Sequence, residues 1–172
     1  MLIFQTNRLI IKTLEREDKE YFIELLSAPE IIDPIPQPVF SMEDMMDKFE
    51  DNLNLTGNIL DNKTSVWGIF EKGNSEMIGL CLFLTNDEND RELGYRFRAK
   101  YWGKGFGTEL TKGIIDFSFY ELKINKISAD VSVENLASVT ILNKFMKPIR
   151  EFFNERDNCT DRRYQIEKEN WI

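Results

Sequence analysis

A glycine-rich stretch at residues 98–108 constrains the fold of this chain more than any other feature. Three glycines at alternate positions, Gly103, Gly105 and Gly107, are followed at once by helical periodicity. Glycine lets the backbone adopt positive φ angles and lets another molecule approach it closely. The start of a helix adds unpaired N–H groups and the positive end of a dipole, which suit a phosphate. The stretch therefore predicts a phosphate-binding loop, with an ordinary glycine-rich turn as the alternative.

The elements on either side of this loop follow the order strand, helix, strand. Residues 92–97 read as a strand, residues 106–121 show helical periodicity, and apolar residues alternate along residues 126–133. Such a βαβ unit has parallel neighbouring strands and a right-handed connection. The loop lies at the carboxyl end of the first strand, where α/β proteins bind their ligands.

The rest of the chain predicts an α+β fold, a mixed α/β arrangement in one domain over residues 1–172. Further strands are expected at residues 8–14, 64–70, 77–84, 151–153 and 164–168, with an antiparallel meander over 64–97. Further helices are expected up to residue 27, at 41–53 behind a capping box of Ser41 and Asp44, and at 135–145. Four of the five prolines fall within residues 29–38, which predicts a stiff extended loop. The total is about seven strands and about four helices.

Composition excludes several classes of function. The 172 residues contain no histidine, which excludes serine–histidine and cysteine–histidine catalysis and a histidine-bound zinc. Cys81 and Cys159 are far apart, so neither a disulfide frame nor a metal site is expected. The formal net charge of −8 argues against nucleic-acid binding and suits a cationic partner such as an amine, with solubility alone as the alternative explanation of the acidity. Because no apolar run could span a bilayer and no signal peptide is visible, we expect no membrane association and a cytoplasmic location.

Several motifs, in order along nearly the whole chain, match those of a known family. They are Thr6-Asn7-Arg8-Leu9-Ile10-Ile11, Glu92-Leu93-Gly94-Tyr95 followed by the stretch from Tyr101 to Glu109, Asn135-Leu136-Ala137-Ser138, and Tyr164-Gln165-Ile166 with the late Trp171. In these motifs the chain resembles the GCN5-related N-acetyltransferase (GNAT) family, and within it the RimJ/RimL-like branch. The resemblance implies the GNAT fold, in which a mixed central sheet contains a parallel pair of strands that splay apart.

The resemblance also implies acetyl-CoA as a co-substrate and no metal. The pyrophosphate of coenzyme A would contact backbone N–H groups of Trp102, Gly103, Lys104, Gly105, Phe106, Gly107 and Thr108. The pantetheine arm would pair with the backbone of Tyr95, Arg96 and Phe97, with Asn135 on the far side of the slot. The implied acceptor is a primary amine, in a small molecule or at a protein N-terminus, which attacks directly in a ternary complex.

Glu92 and Ser138 are the candidate catalytic residues. An alkyl amine is mostly protonated near neutral pH, so the reaction needs a base, and Glu92 occupies the family's Glu-x-Gly-Tyr position. The alternative is a surface carboxylate at the start of a strand, paired with Arg91 or Arg96. Ser138 is the candidate for contact with the thiol, and it can equally serve the start of a helix that has Asn135 as its N-cap.

Two departures from the family pattern bear on the catalytic assignment. Leu142 stands where many members have a tyrosine that acts as general acid, which moves that role towards Ser138 or water. Met146-Lys147-Pro148 replaces the usual Gly-Phe after the helix, so the geometry beyond Phe145 stays open. The alternative function is an acyl-CoA-binding module of the same fold with little or no catalysis. The identity of the acceptor and the oligomeric state, a homodimer included, are left open.

Overall fold

The computed structural model describes residues 1–53, 55 and 57–172, which form a mixed sheet of eight strands. The strands are β1 (Leu2–Gln5), β2 (Leu9–Thr13), β3 (Ser65–Glu71), β4 (Met77–Thr85), β5 (Arg91–Phe97), β6 (Lys126–Ser132), β7 (Lys147–Asn154) and β8 (Cys159–Glu167). Their order in the sheet is β1-β2-β3-β4-β5-β6-β8-β7, and within these residues only β5 and β6 run parallel. The predicted meander is confirmed, because β3, β4 and β5 pair in antiparallel register.

Five α-helices in the described part of the chain cover the two faces of the sheet. They are α1 (Lys19–Ser27), α2 (Pro29–Ile32), α3 (Met42–Leu53), α4 (Phe106–Asp116) and α5 (Leu136–Phe145). Side chains alternate between the faces of a strand, so Leu80 of β4 packs with α1 to α3 while its neighbour Cys81 packs with α4 and α5. None of these helices is long and apolar enough to cross a membrane.

The start of α3 is fixed by the side chains that the sequence singles out. The N–H of Asp44 donates to Oγ of Ser41 at 3.0 Å, and the N–H of Ser41 donates to Oδ2 of Asp44 at 2.9 Å. These two bonds satisfy backbone donors that a helix start otherwise leaves without partners. The predicted capping box is confirmed.

Three elements differ from the prediction. β1 was not predicted because the strand is short and none of its four residues is buried, which leaves no alternating pattern to detect. The predicted extended proline loop contains α2, since Pro29 is the first helical residue, a position that needs no N–H donor. Beyond α4, residues Phe117–Glu121 form a π-helical segment instead of further α-helix. The described residues therefore form eight strands and five α-helices, not seven and four.

The chain leaves α5 without a glycine. Met146 follows the helix in an extended conformation, with φ −129° and ψ 161°, and its side chain is only 4% exposed. Because β7 begins at the next residue, Lys147, the left-handed position that a glycine would supply is not needed. The strand predicted for residues 151–153 therefore begins four residues earlier.

Candidate active site

The strands β5 and β6 pair at one position and then separate. Glu92 lies opposite Ser128, and the described residues contain no further pair between these two strands. On its other side β5 stays paired with β4 from Arg91 to Phe97. The splayed parallel pair is therefore present, and a gap opens beside the carboxyl-terminal half of β5.

The backbone groups of Tyr95 and Phe97 face this gap. The N–H of Arg98 donates to a carbonyl oxygen of β4 at 2.9 Å, and the direction of backbone groups alternates along a strand. Odd-numbered residues of β5 therefore direct their backbone groups away from β4. The carbonyl oxygen of Phe97 fits this pattern, because it accepts the indole N–H of Trp102 at 2.9 Å. By the same alternation, the backbone of Arg96 faces β4, and only its side chain reaches the site.

The glycine loop leads into a helix start that no side chain caps. Gly103 and Gly105 have positive φ angles of 72° and 78°, and Gly105 is the N-cap of α4. Since glycine has no side chain to accept a hydrogen bond, the first N–H groups of α4, from Phe106 onward, are available to a ligand. Gly107 allows close packing on α5, because a Cβ there would lie 2.9 Å from Cδ1 of Ile141.

The side chains of the loop residues divide into buried and exposed ones. Phe106 is 2% exposed, and its ring stacks on Phe97 with 6.3 Å between centroids, so these two residues can contact a ligand only through their backbones. Trp102 is 48% exposed. Nζ of Lys104 lies 5.1 Å from the centroid of a neighbouring tyrosine ring. Thr108 lines a separate cavity of about 710 Å³ between β1 and α4.

A carboxylate that the sequence analysis did not single out holds this loop against the start of β2. Glu109 accepts hydrogen bonds from Oγ1 of Thr6 and from N and Nε of Arg8, each at 2.6 Å. Nη1 of Arg8 also donates to the carbonyl oxygen of Lys104 at 2.9 Å. Although burial raises the pKa of Glu109, these bonds hold it below its usual value. The sequence offers a signal for this contact, because Thr6, Arg8 and Glu109 all lie within the matched motifs.

Beside the start of α5, the hydroxyl group of Ser138 lies near those of Tyr95 on β5 and Thr111 on α4. Oδ1 of Asn135 accepts the N–H of Ser138 at 3.3 Å, which confirms the helix-start reading of this pair. Burial raises the pKa of Tyr95, and the nearby hydroxyls of Ser138 and Thr111 oppose that rise. The phenol oxygen makes no well-aligned hydrogen bond to any described residue. A protonated phenol is therefore available beside Ser138.

The carboxyl group of Glu92 lines the site. The part of the chain that the structure describes contains no hydrogen bond or ion pair to it. The alternative, in which Glu92 pairs with Arg91 or Arg96, is wrong. These arginines donate instead to main-chain carbonyl groups and, in the case of Arg96, also to a glutamine. Burial, reinforced by the negative charge of Asp130, raises the pKa of Glu92 to about 8. A carboxylate with that pKa can accept a proton from an ammonium group near neutral pH.

Arg163 sets part of the electrostatics around Glu92. It is 1% exposed and lies on β8 opposite Asp130, to which Nε and Nη2 donate at 2.8 and 2.7 Å. Nη2 also donates to Oδ1 of Asp87 at 2.6 Å. Its positive charge lowers the pKa of Glu92 but does not outweigh burial. This arginine was not predicted as part of the site, because the predicted strand begins one residue later, at Tyr164.

A cavity of about 880 Å³ joins these groups through the gap between β5 and β6. On the face covered by α4 and α5 it is lined by Tyr95, Asn135 and Ser138, and on the opposite face by Glu92 and Arg96. The structure thus brings five of the predicted site residues into one cavity. The predicted loop residues 102–108 and Phe97 do not line it.

Comparison with known proteins decides the family. Residues 8–145 match the family model described as the acetyltransferase (GNAT) domain. The chain belongs to the GNAT family. A relative of this GNAT protein, the uncharacterized N-acetyltransferase p20 of Bacillus licheniformis, is 34% identical to it, with 80% of this chain and 78% of p20 covered.

Two solved structures share the fold. A GNAT-family acetyltransferase from Bacillus anthracis has a TM-score of 0.81 and 24% identity, with 98% of this chain and 99% of that chain covered. RimL, a ribosomal L7/L12 alpha-N-protein acetyltransferase, has a TM-score of 0.76 and 16% identity, with 97% and 98% covered. The prediction of the GNAT fold and family is confirmed, and the RimL fold is among its structural neighbours. The GNAT protein is an acetyltransferase with N-acetyltransferase relatives.

Proposed function

We propose that this GNAT protein transfers the acetyl group of acetyl-CoA to a primary amine by direct attack in a ternary complex. One observation carries the proposal: the cavity passes through the sheet where β5 and β6 separate, so two ligands can meet from opposite faces. Holding two reactants together in this way removes much of the entropic barrier to their reaction. The RimL structure is a complex with coenzyme A, which supports the choice of cofactor.

The residues present fit coenzyme A in three places. The uncapped start of α4 offers N–H groups to the pyrophosphate, and the backbone groups of Tyr95 and Phe97 offer an unpaired strand edge to the pantetheine amides. Asn135 uses Oδ1 to cap α5, which leaves its amide N–H₂ group free to donate across the gap. Coenzyme A would supply the acetyl group as a thioester.

Glu92 acts as the base in this proposal. It lies in the cavity on the face opposite Tyr95 and Ser138, so the acceptor would enter from the side of α1 to α3. Its carboxylate takes a proton from the ammonium form of the acceptor, directly or through one water molecule, and thereby produces the neutral amine that can attack. Arg163, held by Asp130, stays charged nearby and favours the carboxylate form.

A proton donor to the departing thiolate is available on the other face. Leu142 lines the cavity and is 3% exposed, so this position packs the core and cannot donate a proton. Tyr95 and Ser138 lie next to each other there, and the raised pKa of Tyr95 keeps its phenol protonated. We assign the donor role to this pair.

A coupled assay of thiol release with a panel of primary amines tests the proposal. Glu92→Gln is expected to lower kcat/KM by about 10²-fold or more, the usual contribution of a positioned base. Glu17→Gln, which changes an exposed glutamate outside the cavity, is the matched control. Tyr95→Phe and Ser138→Ala assign the donor role, because substitution of the true donor lowers kcat more than it changes KM.

The competing function is a binding module. Tight binding of acetyl-CoA without thiol release from any amine, together with no effect of Glu92→Gln, would refute catalysis and support that module.

A further inference from the structure

The guanidinium group of Arg96 reaches the cavity. Its Nη1 donates to the carbonyl oxygen of Leu25 at 3.0 Å and to Oε1 of Gln37 at 2.7 Å. Its Nε and Nη2 have no hydrogen-bond partner, and its charge has no carboxylate partner, among the residues that the structure describes. Burial lowers the pKa of Arg96 to about 10, which still leaves it charged at neutral pH.

A buried charge without a counterion is costly, so proteins pair such groups. Both of the other arginines in the lining of this cavity have a carboxylate partner: the buried Arg163 pairs with Asp130, and the exposed Arg156 pairs with Asp157. Arg96 is the exception among the arginines that line the described cavity. A positive charge left in this state marks a place where a negatively charged ligand group can bind.

The surroundings of Arg96 hold its guanidinium in a fixed orientation. Nε2 of Gln37 donates to the carbonyl oxygen of Leu26 at 3.0 Å, which fixes the amide whose Oε1 accepts from Arg96. Together with Leu25 these contacts tie one edge of the guanidinium to α1 and to the segment after α2. The opposite edge, with Nε and Nη2, is left for a ligand.

Arg96 and the proposed base share one face of β5. Glu92 and Arg96 are four residues apart, so both side chains lie on the same face, with Cα atoms about 13 Å apart along the strand. Gly94 lies between them and adds no side chain to the floor of the cavity. Lys48 of α3 lines the same cavity, and although the charge of Asp44 acts on it, it forms no direct ion pair in the described residues, so it adds a second positive charge.

We infer that the acceptor is an amine whose far end carries an anionic group, a carboxylate or a phosphate, and that Arg96 binds this group. The inference rests on the proposed function, which supplies the amine at Glu92. A planar guanidinium forms two parallel hydrogen bonds to such a group. The same charge repels the far end of a diamine or polyamine.

Equilibrium binding to the protein saturated with coenzyme A tests the inference. The probes are 6-aminohexanoate, 6-aminohexylphosphonate, the uncharged 6-aminohexanamide and cadaverine, which share a primary amine and differ at the far end. We expect at least one of the anions to bind about tenfold or more tightly than the amide, as a charged hydrogen-bonded pair does, and cadaverine to bind no better than the amide. The two anions distinguish a carboxylate from a phosphate.

Arg96→Gln should remove the preference for the anion, whereas Arg91→Gln should keep it. Arg91 is a matched control because it lies on the same strand and donates to main-chain carbonyl groups, but does not line the cavity. Arg96→Lys, which keeps the charge, should retain part of the preference. If Arg96→Gln does not fold, the affinities for the acid and the amide, measured on the unaltered protein and on Arg96→Lys, still test the inference.

Three results would overturn the inference. The first is equal binding of the acid and the amide, which includes the case in which neither binds detectably. The second is an anion preference that survives Arg96→Gln, and the third is a loss of coenzyme A affinity in Arg96→Gln as large as its loss of acceptor affinity. The proposed function fails separately, when no amine releases thiol although the anion preference in binding is present.

Discussion

The raised pKa of Glu92 predicts how acetyl transfer depends on pH. With a pKa of about 8, the fraction of Glu92 in the proton-accepting form is about 9% at pH 7 and about 91% at pH 9. The base alone should therefore raise kcat/KM for the amine about tenfold over this interval. Glu92→Gln removes the group and should flatten this part of the profile, in addition to lowering the rate.

The acceptor also ionises, so its contribution has to be separated from that of Glu92. Two primary amines with different pKa values serve this purpose, because the inflection due to the amine moves with the acceptor, while that due to Glu92 stays near pH 8. Asp130→Asn gives an independent check. Asp130 raises the pKa of Glu92 and neutralises Arg163, so removing its charge should move the Glu92 inflection to lower pH.

Initial rates of thiol release, measured at saturating acetyl-CoA in half-unit steps from pH 6 to 10, provide the profiles. Glu17→Gln should leave the shape of the profile unchanged. The reasoning is refuted if the inflection near pH 8 persists in Glu92→Gln, or if the profile of the unaltered protein follows the ionisation of the amine alone.

Three further predictions concern the loop and the stability of the fold. Gly105→Ala, and its control Gly73→Ala, both place alanine at a positive φ angle, 78° and 83° respectively, and each should cost about 1–2 kcal/mol of stability. Calorimetry should show that only Gly105→Ala weakens coenzyme A binding, by at least about fivefold. Equal affinities of the two variants would contradict the loop assignment. Glu109→Ala removes three hydrogen bonds of 2.6 Å and should lower the free energy of unfolding, measured in urea, by about 2–4 kcal/mol. The control Lys112→Ala removes an exposed ion pair and should lower that free energy by less than about 1 kcal/mol. Because the pKa of Glu92 rises from 4.5 to about 8 on folding, the folded state binds more protons between these values, so stability should fall as pH rises through this window. Thermal unfolding of Glu92→Gln should show a smaller fall, and parallel curves for the two proteins would argue against the raised pKa of Glu92.

The features that could be predicted from the sequence are those encoded within a few neighbouring residues. The uncapped start of α4 follows from the position of Gly105, and the capping box of α3 follows from Ser41 and Asp44. The separation of β5 from β6 was expected from the resemblance to the family, since no local pattern distinguishes a strand edge that pairs from one that does not.

The features that were missed depend on residues brought together by the sheet. Arg163 reaches Asp87 and Asp130 across β8, β6 and a turn, so no spacing along the chain announces the cluster. The same holds for Arg96, which differs from Arg91 only in what the fold places around its guanidinium. Whether a charge is paired or left for a ligand is a property of the packed structure, because it depends on partners that are distant in sequence.

Among the described residues β5 and β6 pair at one position, and this has a mechanical consequence. In the part of the chain that the structure describes, the sheet has two parts, β1–β5 and β6–β8, which pair with each other at a single position, Glu92 with Ser128. Away from that point, twisting of one part against the other is resisted by side-chain packing of α4 and α5, which is softer than a ladder of hydrogen bonds. A ligand that occupies the gap acts as a strut between the two parts. We therefore expect the sheet to stiffen when a ligand binds in the gap and to soften when it is released. Slower exchange of the amide hydrogens of Tyr95 and Phe97 should show when a ligand is bound.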